Sequence, residues 1–271
     1  MKARWILWLL PLLLACAGHQ APGKATPVPE GMLLLPAGEL HWAGEERTNG
    51  LPIASFLLDR TPVTVAQFGK FVRATGYVTE AEKAGSAGVL DPGKGEWTLV
   101  PGACWHHPLG RGKAPAGADY PVTQVSGRDA EAYCRWAGKR LPTVAEWEYA
   151  ASGNGRVTTR YAWGDELVVN GRYAANVWQG KFPEKNTVAD GYALAAPVGI
   201  FGKTTTGLTD MGGNVWQWTA DSTATGDRVL KGGSFLCDST TCNNYGIAGF
   251  TTSSPETGLF HIGFRCAKNI H

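Results

Sequence analysis

The sequence predicts an α+β domain that is low in regular secondary structure, and three observations carry that reading. The chain holds 36 Gly and 16 Pro in 271 residues, so turns are frequent. It holds 11 Trp, large aromatic anchors suited to fastening loops to one another. Only three stretches carry strong helix-start signals, and the apolar runs between them are short.

The chain start stands apart from this domain. Lys2 and Arg4 precede an uncharged run over residues 5–15, too short for a helix to cross a bilayer, which takes roughly 20 apolar residues. A basic region followed by a short apolar stretch is the layout of an export signal. Leu13-Leu14-Ala15-Cys16 resembles a bacterial lipobox. That resemblance implies a signal peptide over 1–15, a lipidated Cys16, and a lipoprotein at the periplasmic face of a bacterial membrane. An ordinary signal peptide with an incidental Cys16 is the other reading. Residues 16–30 are rich in Ala, Pro and Gly and read as a flexible tether. The body, 31–271, has the length of one large domain. The formal charge of +2 includes Lys2 and Arg4, and no clustered basic face is legible, so no nucleic-acid partner is expected.

Within the body, Thr64-x-x-Gln67, Ser126-x-x-Asp129 and Thr143-x-x-Glu146 each place a hydroxyl at an N-cap and a side chain three positions on that favours the helix start. The first helix is predicted to run to Thr75 with Gly76 as its stop, the second to Ala137 with Gly138 as its stop. The third follows Pro142 and runs to about Ala151. Short strands are predicted at 32–36, 55–58, 228–231 and 263–266. The stretch 161–218 reads as ordered loop, and a loop that long calls for something to pin it. Its acidic and amide side chains make bound cations one candidate.

Several blocks then match a known family. They include Gly76-Tyr-Val-Thr-Glu-Ala-Glu-Lys83, Ala132-Tyr-Cys-Arg-Trp-Ala-Gly-Lys-Arg-Leu-Pro-Thr143, Ala145-Glu-Trp-Glu-Tyr149 and Ala175-Asn-Val-Trp-Gln-Gly180. Gly212-Gly-Asn-Val-Trp-Gln-Trp218, Lys231-Gly-Gly-Ser-Phe-Leu-Cys237 and Gly263-Phe-Arg-Cys266 follow in the family's order. The body therefore resembles the formylglycine-generating enzyme (sulfatase-modifying factor) family, whose fold is related to C-type lectins.

Six cysteines are present. The resemblance implies a structural disulfide between Cys134 and Cys266. A second family disulfide is missing as a pair, because Ala151 and Ile247 stand at its two positions. Cys104, in Gly102-Ala-Cys-Trp-His-His-Pro108, stands where relatives usually have Asn. It reads either as an unpaired loop thiol or, with His106 and His107 nearby, as part of a metal site. Cys237 and Cys242 remain. Two thiolates five positions apart on a turn suit a soft ion such as Cu(I). Zinc would call for further Cys or His ligands at zinc-like spacing, and the body's histidines form no obvious iron site. A plain Cys237–Cys242 disulfide is the competing reading in an oxidising compartment.

By resemblance, Cys237 and Cys242 hold Cu(I), a substrate cysteine joins them, and dioxygen reacts near Trp216 and Ser234. The cysteine of a protein or peptide substrate then becomes formylglycine through a thioaldehyde, with a thiol reductant as partner. Trp216 is equally suited to plain core packing. Calcium is implied at two places: Asn176, Val177, Asp190 and Tyr192, and Asp210, Gly213, Val215 and Gln217. Gln217 stands where relatives have Glu, and a metal-free hydrogen-bonded loop is the alternative. Relatives acting on sulfatases carry arginines at the positions of Asn244, Gly246 and Phe250, and His261 replaces an Asn that touches substrate. The substrate is thus expected to be a sulfatase-type protein, or else a siderophore or small peptide. A non-enzymatic lectin-like binding module is the third reading.

Overall fold

The computed structural model describes residues 28–42, 50–91, 94–153, 155–239, 242 and 244–270. The predicted signal, Cys16 and most of the tether lie outside the described residues. Among those described, no helix is long and apolar enough to cross a membrane.

All three predicted helices form, as α1 (Val65–Thr75), α3 (Gly127–Trp136) and α4 (Val144–Ala151). Each begins with the reciprocal cap its sequence encodes. In α1, Gln67 N–H donates to Thr64 Oγ1 at 3.2 Å while Thr64 N–H donates to Gln67 Oε1 at 2.8 Å. Gly76 closes α1 at φ 67°, a left-handed position that glycine takes without strain. A further short helix, α2 (Glu80–Ala84), was not predicted, although Thr79 and Glu82 carry the same capping box.

The strands are β1 (Met32–Leu35), β2 (Gly38–Trp42), β3 (Leu51–Ile53), β4 (Phe56–Asp59), β5 (Ser86–Asp91), β6 (Glu96–Pro101) and β7 (Arg156–Val157). They continue as β8 (Val168–Val169), β9 (Arg172–Tyr173), β10 (Trp216–Ser222), β11 (Arg228–Lys231), β12 (Phe250–Ser253), β13 (Ile262–Gly263) and β14 (Ala267–Asn269). One sheet runs β12-β11-β10-β13 and another β1-β4-β14.

The predicted strand at 263–266 does not form as one piece. β13 pairs parallel with β10, whereas β14 pairs antiparallel with β4, so Phe264, Arg265 and Cys266 cross from one sheet to the other. The crossing buries Arg265 completely. Its Nε donates to Gln217 Oε1 at 2.7 Å. Its terminal nitrogens donate to the carbonyls of Asp59, Arg60, Thr209 and Asp210 at 2.7–3.2 Å. Tertiary hydrogen bonding overrides local strand preference here.

The core lies around these elements. Phe68 of α1 stacks on Tyr133 of α3 at 5.8 Å, and Phe264 packs against both rings. Trp218 is buried and donates Nε1–H to the Val125 carbonyl at 3.0 Å, which satisfies its one polar atom. Truncating such a side chain typically costs about 3–5 kcal/mol, a large part of a domain's net stability.

The long loop is ordered largely by polar side chains. Asn214, at φ 63°, accepts from Ala196 N–H at 3.0 Å and donates to its carbonyl at 3.2 Å, standing in for a strand partner. Arg265 holds the loop at Thr209 and Asp210. The ends of the stretch are less irregular than predicted, since β8, β9 and the start of β10 fall within it.

Candidate active site

β11 ends at Lys231, whose ammonium is fully buried and bonded to Glu148 Oε1 at 2.7 Å and to the Ile247 carbonyl at 2.8 Å. Burial pulls the Lys231 pKa down, and Glu148 opposes that pull. From this fixed point Gly232 and Gly233 turn the chain at φ 91° and 70°. A Cβ on Gly233 would sit 2.7 Å from Tyr245 Cβ, so both space and backbone conformation require glycine.

The turn delivers Ser234 and Cys237 to one place. Phe235 N–H donates to the Asn214 carbonyl at 2.9 Å, and Cys237 N–H to the Ser234 carbonyl at 2.9 Å. Cys237 is buried and Cys242 partly so. Their sulfurs are joined as a disulfide with Cα atoms 4.8 Å apart. Cys242 N–H donates to Asp238 Oδ1 at 3.2 Å.

Ser234 Oγ shares a 3.0 Å hydrogen bond with His261 Nδ1 and accepts a longer one from Leu236 N–H. The His261 ring is bordered by Trp97 at 5.3 Å, Phe260 at 5.8 Å and Phe235 at 6.4 Å. Burial pushes its pKa down to about 3, so the imidazole is neutral at physiological pH. Trp216 is buried in β10, and its backbone N–H donates to the His261 carbonyl at 2.9 Å. Trp216, Ser234, Cys237, Cys242 and His261 therefore form one connected region. Sequence reasoning missed two of its members. Asp238 is a buried carboxylate inside the Cys237–Cys242 loop, and its position between the two cysteines was the available signal. Trp97 comes from the β5–β6 hairpin, and nothing in its local sequence marks it.

The two oxygen-rich sets differ. Asn176 is buried, and its Oδ1 has no hydrogen-bond partner while Nδ2 donates to the Leu194 carbonyl at 2.9 Å. Asp190 accepts from Tyr192 N–H at 2.9 Å, from Val177 N–H at 3.1 Å and from Gln179 Nε2 at 2.6 Å. Gln179 Nε2 also contacts the Val177 carbonyl. The Asn176 Oδ1 is an orphan buried acceptor, and an orphan oxygen is what a hard cation takes, while the Gln179 amide occupies Asp190 Oδ2 and the Val177 carbonyl and would turn aside for an ion there. In the second set Gln217 Oε1 accepts from Trp147 Nε1 at 3.0 Å and from Arg265 Nε. Both partners are obligate donors, so the amide orientation is settled and Nε2–H faces the Asp210 carbonyl at 2.6 Å. The Asp210 carboxylate is itself bonded to Gly199 N–H and Asn214 Nδ2. Gln217 thus offers a donor toward Asp210, where a cation would need an oxygen, and these residues do not fit calcium as arranged.

Cys134 on α3 and Cys266 lie together, both buried, with Sγ atoms 2.6 Å apart.

The His261 shift has a measurable consequence. The folded imidazole stays neutral down to about pH 3, whereas an unfolded one protonates below about 6.5. The unfolded chain binds more protons within that window, so stability falls as pH drops from about 6.5 toward 3. In urea unfolding, His261→Asn should lose less stability than the parent between neutral pH and about pH 4.5. Equal losses would contradict the assignment.

Residues 19–270 match the family described as sulfatase-modifying factor enzyme 1-like domain. A formylglycine-generating enzyme of Streptomyces coelicolor is 39% identical, with 94% of each chain covered. The mouse protein named inactive C-alpha-formylglycine-generating enzyme 2 is 34% identical over 97% of this chain and 92% of its own. Among solved structures, PvdO from Pseudomonas aeruginosa superposes with a TM-score of 0.62 at 20% identity, covering 93% of this chain and all of its own. On sequence and fold together, the chain belongs to the sulfatase-modifying factor (formylglycine-generating enzyme) family.

Proposed function

We propose that the chain oxidises a cysteine of a target polypeptide to formylglycine at Cys237 and Cys242, using copper and dioxygen. The observation that carries this reading is the convergence of both cysteines with Ser234, Trp216 and His261 behind the Gly232-Gly233 turn. Overall similarity does not decide the matter, since relatives named active and inactive both match at length.

The donor set suits copper: once the disulfide is reduced, two soft thiolates are available on one short loop. Cu(I) bound there would supply dioxygen activation and removal of a hydrogen from the substrate Cβ. The net reaction takes RCH₂SH, O₂, two electrons and two protons to RCHO, H₂S and H₂O. A thiol reductant supplies the electrons and opens the disulfide. Ser234 offers its hydroxyl to orient the incoming cysteine, and neutral His261 holds that hydroxyl in place. Trp216 and the aromatic border of His261 exclude water.

A second reading concerns the substrate alone. Phe250 is 57% exposed on β12, and Asn244 and Gly246 are likewise uncharged. These three positions lack the cations expected for a sulfatase-type client, with Arg160 packed beside Gly246 as a nearby cation, and their loss favours a siderophore or another small peptide.

For calcium, we propose the Asn176, Val177, Asp190 and Tyr192 set alone, supported by the orphan Asn176 Oδ1. Calcium at 100 times its Kd would stabilise the fold by about 2.7 kcal/mol. The thermal midpoint should rise with added calcium in the parent and not in Asp190→Asn. An unchanged parent midpoint would count against the site.

Activity is tested by incubating the chain lacking residues 1–16 with Cu(I), oxygen, a thiol and a Cys-x-Pro-x-Arg peptide. The expected product has the lower mass of CHO in place of CH₂SH, and Cys237→Ser should form none. Absence of product from this peptide and from uncharged cysteine peptides alike would overturn the oxidase reading.

A further inference from the structure

The β5–β6 hairpin reaches away from Trp97, near its turn, to its root, where Ser86 pairs with Pro101. Beyond the root, Cys104 and His107 exchange backbone hydrogen bonds, each at 3.1 Å, and this tight turn carries His106. The α2 helix brings Glu82 to the same place. Glu82 Oε2 is occupied by its cap, accepting from Thr79 N–H and Oγ1, which leaves Oε1 turned toward His106.

Three ligand atoms of different chemistry meet here. Cys104 Sγ lies 3.4 Å from His106 Nδ1, and Glu82 Oε1 lies 4.0 Å from the same nitrogen. One ligand atom from each residue falls within 4.8 Å of the others. A catalytic Cys-His-Glu relay would place nucleophile and acid on opposite ring nitrogens. Here the carboxylate approaches Nδ1, while the sulfur lies 3.4 Å from Nδ1 and 3.8 Å from Nε2, so the thiol is not set on the nitrogen opposite the carboxylate, and a turn of the half-exposed ring brings all three ligand atoms round one ion. The edges of a tetrahedral zinc site, with bonds of about 2.0–2.3 Å, are about 3.3–3.8 Å, so the widest separation closes by roughly 1–1.5 Å on binding. Cys104 is buried, Glu82 and His106 are partly open, and all three line a cavity of about 600 Å³ with Arg111. Burial lowers the His106 pKa, with His107 and Arg111 adding to the effect and Glu82 opposing it, which favours the neutral, ligand-competent imidazole.

We propose that Glu82, Cys104 and His106 form a zinc site with an open fourth position facing this cavity. Zinc displaces the Cys104 thiol proton to solvent and is balanced by one thiolate and one carboxylate. The ion clips α2 to the 102–107 turn at the root of the hairpin whose Trp97 packs on His261. It also gives Cys104, unpaired in the fold, a chemical partner.

The test uses oxidised protein, in which Cys237 and Cys242 are bonded to each other and cannot compete. Titration with ZnCl₂ by calorimetry should show one ion per chain, and Co²⁺ should give a thiolate-to-metal absorption band. Cys104→Ser should abolish both. His106→Asn and Glu82→Gln should each weaken zinc binding by roughly tenfold or more. Glu82→Gln retains an acceptor for the Thr79 cap, and unchanged metal-free melting of the variants verifies folding. No zinc uptake by the parent would overturn the site. So would uptake that survives Cys104→Ser, or that is indifferent to both His106→Asn and Glu82→Gln.

Discussion

A single buried cation, the Arg265 guanidinium, ties the architecture together. Removing such a charge from water is costly, and the cost is offset only when its donors are satisfied. Arg265 meets that condition with Gln217 Oε1 and four carbonyls, from Asp59, Arg60, Thr209 and Asp210. Burial lowers its pKa to about 10, which leaves it charged at physiological pH. Those acceptors belong to the end of β4, the long loop and β10. One side chain therefore sets three segments against one another, and β10 in turn carries Trp216 into the site.

The Gln217 amide extends this arrangement. Held by Trp147 and Arg265 on one side, it donates to Asp210 on the other, and the loop closes through protein hydrogen bonds. The Lys231–Glu148 pair does similar work one strand away, anchoring the start of the Gly232-Gly233 turn. The Cys237–Cys242 pair thus sits at the end of a hydrogen-bonded framework. The face across β12 is more exposed and carries Phe250. That face is joined to the framework, since β12 pairs with β11, Phe250 lies opposite Lys231, and the Lys231 ammonium donates to the Ile247 carbonyl.

Helices were the most legible part of the sequence because their caps are local: Thr64, Ser126 and Thr143 each declare a start. The same signature at Thr79 is harder to recognise, since α2 is too short to show periodicity. The β5–β6 hairpin was harder to see. β6 is largely exposed, with Trp97 and Leu99 outward, and shows no clean alternation. Arg265 reads as part of a strand because sequence alone does not reveal burial or the carbonyls that gather around it. At the site, Cys237, Cys242, Ser234, Trp216 and His261 were found through family resemblance, and spacing alone left a plain disulfide equally open. Asp238 and Trp97 entered only with the fold. Cys104 and His106 were visible in sequence, but Glu82 arrives from a different element.

On the proposed function, Cys237 and Cys242 work as a reversible thiol pair able to hold a soft metal rather than as a permanent staple. The most direct measurement is an anaerobic Cu(I) titration of the reduced protein against a competing chelator. One tightly held copper per chain is expected, lost in Cys237→Ser and in Cys242→Ser alike. Copper retained at parental affinity in either variant, or none bound by the parent, would contradict it.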